Sequence, residues 1–294
     1  MTIDPKEISV PELHGYLLGA VSPRPIAFAS TVDKDGNVNL SPFSFFNVFS
    51  ANPPIMIFSP ARRGRDNTTK HTYENVLEHA EVVVNVVSYD IVEQMSLSST
   101  EYGKGVNEFE KAGFTQVKSE VVEPPRVKES PVSFECKVME VKSLGDQGGA
   151  GNLVICEVLK IHIADRILNE NNKIDPNKID LVGRMGGNWY SRASGDAIFE
   201  VAKPLTTMGI GVDQLPKNIR NSTILTGNHL GKLGNVEAIP SKEDAAAFSN
   251  EPEVRAILDS FDDEENIQTE LHKLAADLLN EGEIDTAWKV LMIE

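Results

Sequence analysis

The residues best equipped for chemistry lie between Ser41 and Asn75, in SPFSFFNVFSANPPIMIFSPARRGRDNTTKHTYEN. Small hydroxyls and aromatics open this stretch: Ser41, Phe43, Ser44, Phe45, Phe46 and Asn47. A short apolar run follows, from Ile55 to Phe58, ending at Ser59. The stretch closes on a loop with Arg62, Arg63, Arg65 and Lys70, and with the hydroxyls of Thr68, Thr69 and Thr72. An aromatic wall, a strand and a cationic loop suit a ligand with a flat ring at one end and a phosphate at the other. A helical pattern begins at Thr72, and a helix start adds backbone N–H groups and its dipole to the attraction for a phosphate. By composition alone the loop reads equally well as a solvated basic segment. On an alternating strand Phe43 and Phe45 face one way while Ser44 and Phe46 face the other. That pattern sets hydroxyl and ring on one side, although the aromatics also fit an ordinary core.

Other chemistries find little support. There is no GxSxG nucleophile elbow and no Walker-type GxxxxGK[ST] loop. The six histidines show no HExxH or comparable ligand spacing. The glycine cluster GDQGGAG lies between two strand-like runs, whereas a dinucleotide fingerprint needs a strand before it and a helix after it. It reads as a glycine-rich hairpin.

The elements that must carry these residues follow from patterning. Residues 24–31 and 38–46 read as paired strands about an Asp35-Gly36 turn, and Pro54 to Ser59 as a third strand. Thr72 to His79 reads as a helix capped by Thr72, with Val76, Leu77 and Ala80 inward. Glu81 to Ser88 is a near-continuous β-branched run, hence a buried strand. A second short helix is expected over Asp90 to Ser98, and the polar residues 100–114 read as a cover rather than core. Residues 131–144 and 151–165 form two long strand candidates. Strands joined by hairpins, without βαβ alternation, favour an antiparallel barrel. From Leu205 the character changes. Pro252–Phe261, Ile267–Leu279 and Ile284–Met292 carry apolar residues at helical spacing. The expected organisation is therefore a domain over 1–204 and an acidic, largely helical extension over 205–294.

The chain has 294 residues and a net charge of −16. Residues 205–294 hold 7 Lys+Arg against 17 Asp+Glu, a balance of −10, so the extension is the acidic part. A nucleic-acid partner would need a cationic face, and only the 62–70 loop is basic. No apolar run is long enough to span a bilayer. The N-terminus has no secretory pattern, and Cys136 and Cys156 read as buried free thiols, so a cytoplasmic location without membrane association is expected.

Several pieces, in order, resemble the flavin reductase-like family. They include SPRPIAFAST, DGNVNLSPFSFFN, NPPIMIFSP, KHTYENV, EVVVNVVS, STEYGKGVNEFEKAGF, ESPVSFECKV and LVGRMGGNWY. The resemblance implies a mainly β (α+β) fold, an FMN-binding split β-barrel with Greek-key character, here with the C-terminal helical extension. It also implies bound FMN, NAD(P)H as co-substrate, a homodimer, and reduction of flavin or another small acceptor. A non-enzymatic FMN electron carrier serving a redox protein partner, or an interaction protein, is the alternative on the same fold. Carried over, Ser41, Ser44, Phe46 and Asn47 line the ring and ribityl chain, with Thr31 near. Ser59, Lys70 and Thr72 hold the phosphate. This chain has Lys70-His71-Thr72 where the family commonly has Lys-Asp-Thr, and it adds the arginine-rich run 62–69. Arg65 and Thr68 are therefore candidate phosphate ligands as well. Trp189 and Tyr190 stand either near the ring or as a seal on the barrel, and Arg24 is expected in a structural ion pair.

Overall fold

Asp35-Gly36 turns the chain as its residue types dictate: Gly36 takes φ +81°, open to glycine at no steric penalty. Around it β1 (Ala27–Val32) pairs antiparallel with β2 (Val38–Phe43), Thr31 opposite Asn39. A computed structural model describes residues 1–293 of the chain, the side chain of Lys242 excepted. Its contacts divide into two compact units, Met1–Phe199 and Glu200–Glu294, whereas the sequence changes character at Leu205.

In the first unit α1 (Val10–Ala20) precedes β1. After β2 come β3 (Phe46–Ala51), β4 (Pro54–Phe58), α2 (His71–Glu78) and β5 (Glu81–Asn85). Next are α3 (Val92–Leu97), α4 (Glu108–Ala112) and the two-residue strands β6 (Gln116–Val117) and β7 (Arg126–Val127). The long hairpin β8 (Val132–Ser143) and β9 (Asn152–Ile163) is followed by α5 (Pro176–Ile179), β10 (Leu181–Arg184) and β11 (Tyr190–Ala193).

Seven strands form one antiparallel sheet in the order β2-β1-β5-β8-β9-β4-β3. Its two edges, β2 and β3, are separated in sequence only by Ser44 and Phe45, so the sheet must curl round on itself. Phe43, Phe58, Val82, Val138 and Val154, from five strands, meet in one apolar interior. A side chain such as Phe58, with no exposure, contributes about 1.5–3 kcal/mol by its burial. This is the split-barrel architecture.

Several local expectations are corrected. The strand expected over 38–46 breaks at Ser44-Phe45, where the chain turns a corner into β3. Strict alternation of Phe43 to Phe46 is lost: Phe43 is buried and Phe45 is 40% exposed. Thr72 is not the cap of α2; Lys70 holds that position, and Thr72 lies buried in the first turn. Thr72, Asn75 and Val76 face inward there, while Leu77 and Ala80 face out. Residues 100–114 are only partly a cover, since Phe109 is fully buried and Phe114 nearly so, in a second apolar cluster with Phe28 and Met95. Among the described residues Arg24 makes no ion pair; its guanidinium donates to the carbonyls of Leu18, Val21 and Met185.

The second unit is helical: α6 (Lys217–Arg220), α7 (Gly227–Gly234), α8 (Lys242–Phe248), α9 (Pro252–Ser260), α10 (Glu264–Glu281) and α11 (Ile284–Leu291). The helical spacing read from Val254, Leu271, Ala275, Ala287, Trp288 and Leu291 sets these residues in its core. Gly282 ends α10 at φ +88°. Among the described residues no helix is long and apolar enough to cross a membrane.

Candidate functional site

The cationic loop is held by the hairpin beside it. Arg62 N–H donates to the Ala150 carbonyl and Gly149 N–H to the Arg62 carbonyl, at 2.9 and 3.0 Å. Gly148 must be small: a Cβ there would lie 3.0 Å from the Gly64 carbonyl oxygen and 3.1 Å from that of Arg63. The glycine cluster between β8 and β9 thus admits the loop backbone. Inside the loop Arg62 donates to the side chain and carbonyl of Asn67, both at 2.7 Å, and so braces the turn. Arg63 and Lys70 point instead into a cleft at the start of α2.

Asn39, one of the residues the sequence reading missed, organises the floor of that cleft. It lies two residues before Ser41 on β2, hence on the same face. Its buried amide donates to the Thr72 hydroxyl at 2.8 Å and to Thr31 at 3.5 Å. Asn75 donates to Thr31 at 3.1 Å. Thr31 and Thr72 are almost fully buried, and this network fixes Thr72 from behind. Among the described residues no side chain caps α2, and while Tyr73 and Glu74 N–H donate to the Lys70 carbonyl, the N–H groups of His71 and Thr72 keep their capacity for an anion.

One carboxylate answers the cations. Glu101 accepts from Arg63 Nε at 3.0 Å, pairs with Arg65, and lies 3.9 Å from Lys70 Nζ. Only about 30 Å³ is left in the cleft, room for a water or two. Burial first, and then the nearby Arg63 guanidinium, push the Lys70 ammonium below its ordinary pKa. On the other wall Glu108 is buried and accepts from Leu40 N–H at 3.0 Å, and burial raises its pKa despite that bond. Thr68, through its hydroxyl and N–H, holds the neighbouring Asp66 carboxyl down at about 2.

Of the residues singled out in the sequence, Ser41, Lys70 and Thr72 line this cleft together. Arg65 reaches it through Glu101, and Thr68 accepts from Arg63 at 2.9 Å. The others stand elsewhere. Thr31 is behind the floor. Ser44 accepts from Arg24 at 3.4 Å, beyond the end of β2. Phe46 packs against the barrel interior, and Asn47 is exposed on β3, accepting from Val48 N–H. Ser59 is buried and accepts from Asn152 N–H at 3.0 Å, so it anchors the loop rather than facing the cleft. Tyr190 lies under the Arg184 guanidinium in a separate cavity of about 340 Å³, and Trp189 is 78% exposed. Glu101 and Glu108 were missed along with Asn39, and Arg63 was read as a loop cation without being singled out from its neighbours. Only the Asn39–Ser41 alternation was a local signal.

The sequence model of the flavin reductase like domain matches residues 19–177, which takes in β1 to β9 and this whole cleft. The chain belongs to the flavin reductase-like family. An uncharacterised protein of Aquifex aeolicus is 42% identical over 196 residues, covering 67% of this chain and 97% of its own length. Nitrilotriacetate monooxygenase component B from Bacillus cereus matches in structure at TM-score 0.64 and 29% identity, over 68% of this chain and 98% of that one. A split-barrel protein from Shewanella frigidimarina, assigned to the flavin reductases, matches at TM-score 0.57 and 27% identity, over 69% and 100%. These three flavin reductase-like relatives are covered almost end to end, which leaves them no length for a unit such as Glu200–Glu294.

Proposed function

We propose that this flavin reductase-like chain binds FMN and reduces flavin or another small acceptor at the expense of NAD(P)H. The observation that carries the reading is the cleft at the start of α2. There two cations, Arg63 and Lys70, converge with the Thr72 hydroxyl and uncapped helical N–H groups. That donor set fits a phosphate monoester: charge-assisted bonds from side chains, with neutral donors held rigid behind them. Arg63, Lys70 and Thr72 would hold the phosphate, and Asn39 would keep Thr72 in its rotamer. Ser41, with Ser44 and the exposed Phe45 at the β2–β3 corner, would receive the ring.

FMN held by Arg63, Lys70 and Thr72 would supply the redox chemistry. The chain's own part is to bind, orient and shield. Arg63 and Lys70 neutralise the phosphate. The wall formed by α4 and residues 98–102 covers one side of the cleft. The same reading includes a homodimer, since the edge strand β3 exposes Val48 and Phe49, at 57% and 63%, and a paired copy would cover them. The cytoplasmic assignment remains part of this proposal.

The test is anaerobic. The purified protein is titrated with FMN, then mixed with NADH or NADPH while the flavin absorbance is followed. Saturable FMN uptake and rapid bleaching by a nicotinamide are expected. A protein that takes up no FMN sinks the proposal, and FMN uptake without bleaching moves it to the electron-carrier reading.

A further inference from the structure

Glu101 stands among the cations of the cleft from far away in the sequence. It is carried on residues 100–106, between α3, anchored by Met95, and α4, anchored by Phe109. The connecting segment itself has little holding it. Gly103 and Gly105 have nothing within 4 Å of where a Cβ would be, Gly105 takes φ +83°, and Glu101 keeps 38% of its side chain exposed. Three cations nonetheless gather on this one carboxylate: Arg63, Arg65 and Lys70. The other acids nearby are engaged elsewhere. Asp66 turns to the Thr68 hydroxyl and N–H and to Arg65. Glu74 accepts from Thr69 and faces Lys104, and Glu108 accepts from Leu40 N–H.

We infer that Glu101 is the cleft's built-in counter-ion, occupying the place of a ligand's phosphate, so that ligand binding is an anion exchange in which Glu101 sets the charge threshold. This rests on the phosphate reading of the cleft given above. The physical reason is a comparison of charges. A phosphate monoester at neutral pH carries about −1.5 to −2 and three acceptor oxygens, against −1 and two oxygens for the carboxylate. It therefore out-competes Glu101 for the cations that face the cleft, Arg63 and Lys70. A singly charged anion gains nothing over the carboxylate it displaces. Glu101 thus selects for a terminal, doubly charged phosphate and shields the crowded cations from lesser anions. Residues 100–106 must swing aside as the exchange occurs, and their glycines and sparse contacts allow it.

The test compares the wild type with Glu101→Gln and Asp66→Asn, each titrated with FMN and with riboflavin, which shares the ring and lacks the phosphate. Glu101→Gln should tighten FMN about tenfold, the scale set by losing several competing surface pairs, and leave riboflavin unchanged. Asp66→Asn removes the same charge beside the same arginine but outside the exchange, and should change FMN affinity less than twofold. Equal gains in both variants would reduce the effect to a general field and overturn the inference. So would unchanged or weaker FMN binding by Glu101→Gln, or an equal gain for riboflavin. If neither the wild type nor the variants bind FMN, the phosphate reading falls and takes this inference with it. FMN binding by the wild type with no gain in Glu101→Gln removes only the inference.

Discussion

Lys70→Met separates a functional cation from a structural one. Methionine keeps a flexible apolar stem of similar reach and removes the charge. A phosphate charge about 4 Å from the ammonium interacts by roughly 4 kcal/mol per unit charge at an effective dielectric constant near 20. Most of that is offset by lost hydration, and the net worth of a hydrogen bond to a charged group is about 1.5–3 kcal/mol. The FMN dissociation constant should therefore rise about 10- to 150-fold. Stability should move the other way. Burial and the Arg63 charge hold the Lys70 pKa below its ordinary value, so the fold disfavours the ammonium. A lysine depressed on folding weakens the native state at neutral pH, and that penalty disappears only as pH rises through the folded and then the unfolded pKa. Methionine never carries the charge, so the melting temperature at pH 7 should be no lower than wild type. Isothermal titration with FMN and riboflavin, alongside thermal melts, provides both readouts. Unchanged FMN affinity would show that the phosphate is misplaced. An equal loss for riboflavin, or a clear fall in melting temperature, would make Lys70 a structural residue and refute the reasoning.

Three further outcomes follow from the same geometry. Asn39→Ala strips the buried donor from Thr72 and Thr31, and urea unfolding should show a loss of about 1–3 kcal/mol, with FMN binding weakened as Thr72 loosens; a change below about 0.5 kcal/mol would contradict the role of that network. Glu108→Gln keeps an acceptor for Leu40 N–H but removes a buried charge whose raised pKa makes the folded state less stable as pH rises through it. The variant should melt above wild type at pH 8, with the gap closing on acidification to pH 5; a gap that widens in acid would refute the sign. A chain ending at Phe199 should fold and retain FMN affinity within about twofold, because the relatives have no length for the second unit; aggregation or lost binding, seen by scattering and titration, would tie Glu200–Glu294 to the site.

What could be read in advance was local. Asp35-Gly36 announced the β1–β2 turn, β-branched runs announced β5, β8 and β9, and helical spacing announced α9 to α11 with most of their core positions. Lys70 and Thr72 were legible as candidates because a cation and a hydroxyl at a helix start have one obvious chemistry. Even so, the cap of α2 was misplaced by two residues, since Lys70 and Thr72 both precede a plausible first turn and only the fold buries one of them. Phe45 and Phe46 were read as one strand because nothing in their side chains marks a corner between two strands.

The sequence by itself determined most of the long strands, the β1–β2 turn, the acidic C-terminal helices and the identity of the basic loop. These depend on φ/ψ preference, periodicity and charge, which act over a few residues. Tertiary structure decided which loop cations face the cleft and which anion meets them. Arg62 and Arg63 are adjacent and chemically identical, yet one braces Asn67 and the other reaches Glu101. Asn39 meets Thr72 only because β2 passes under α2, and Glu101 meets Arg63 only because α3 and α4 hold its segment across the cleft. Those contacts join residues more than thirty positions apart. Their energies are long-range pairings between elements, so no local pattern could encode them.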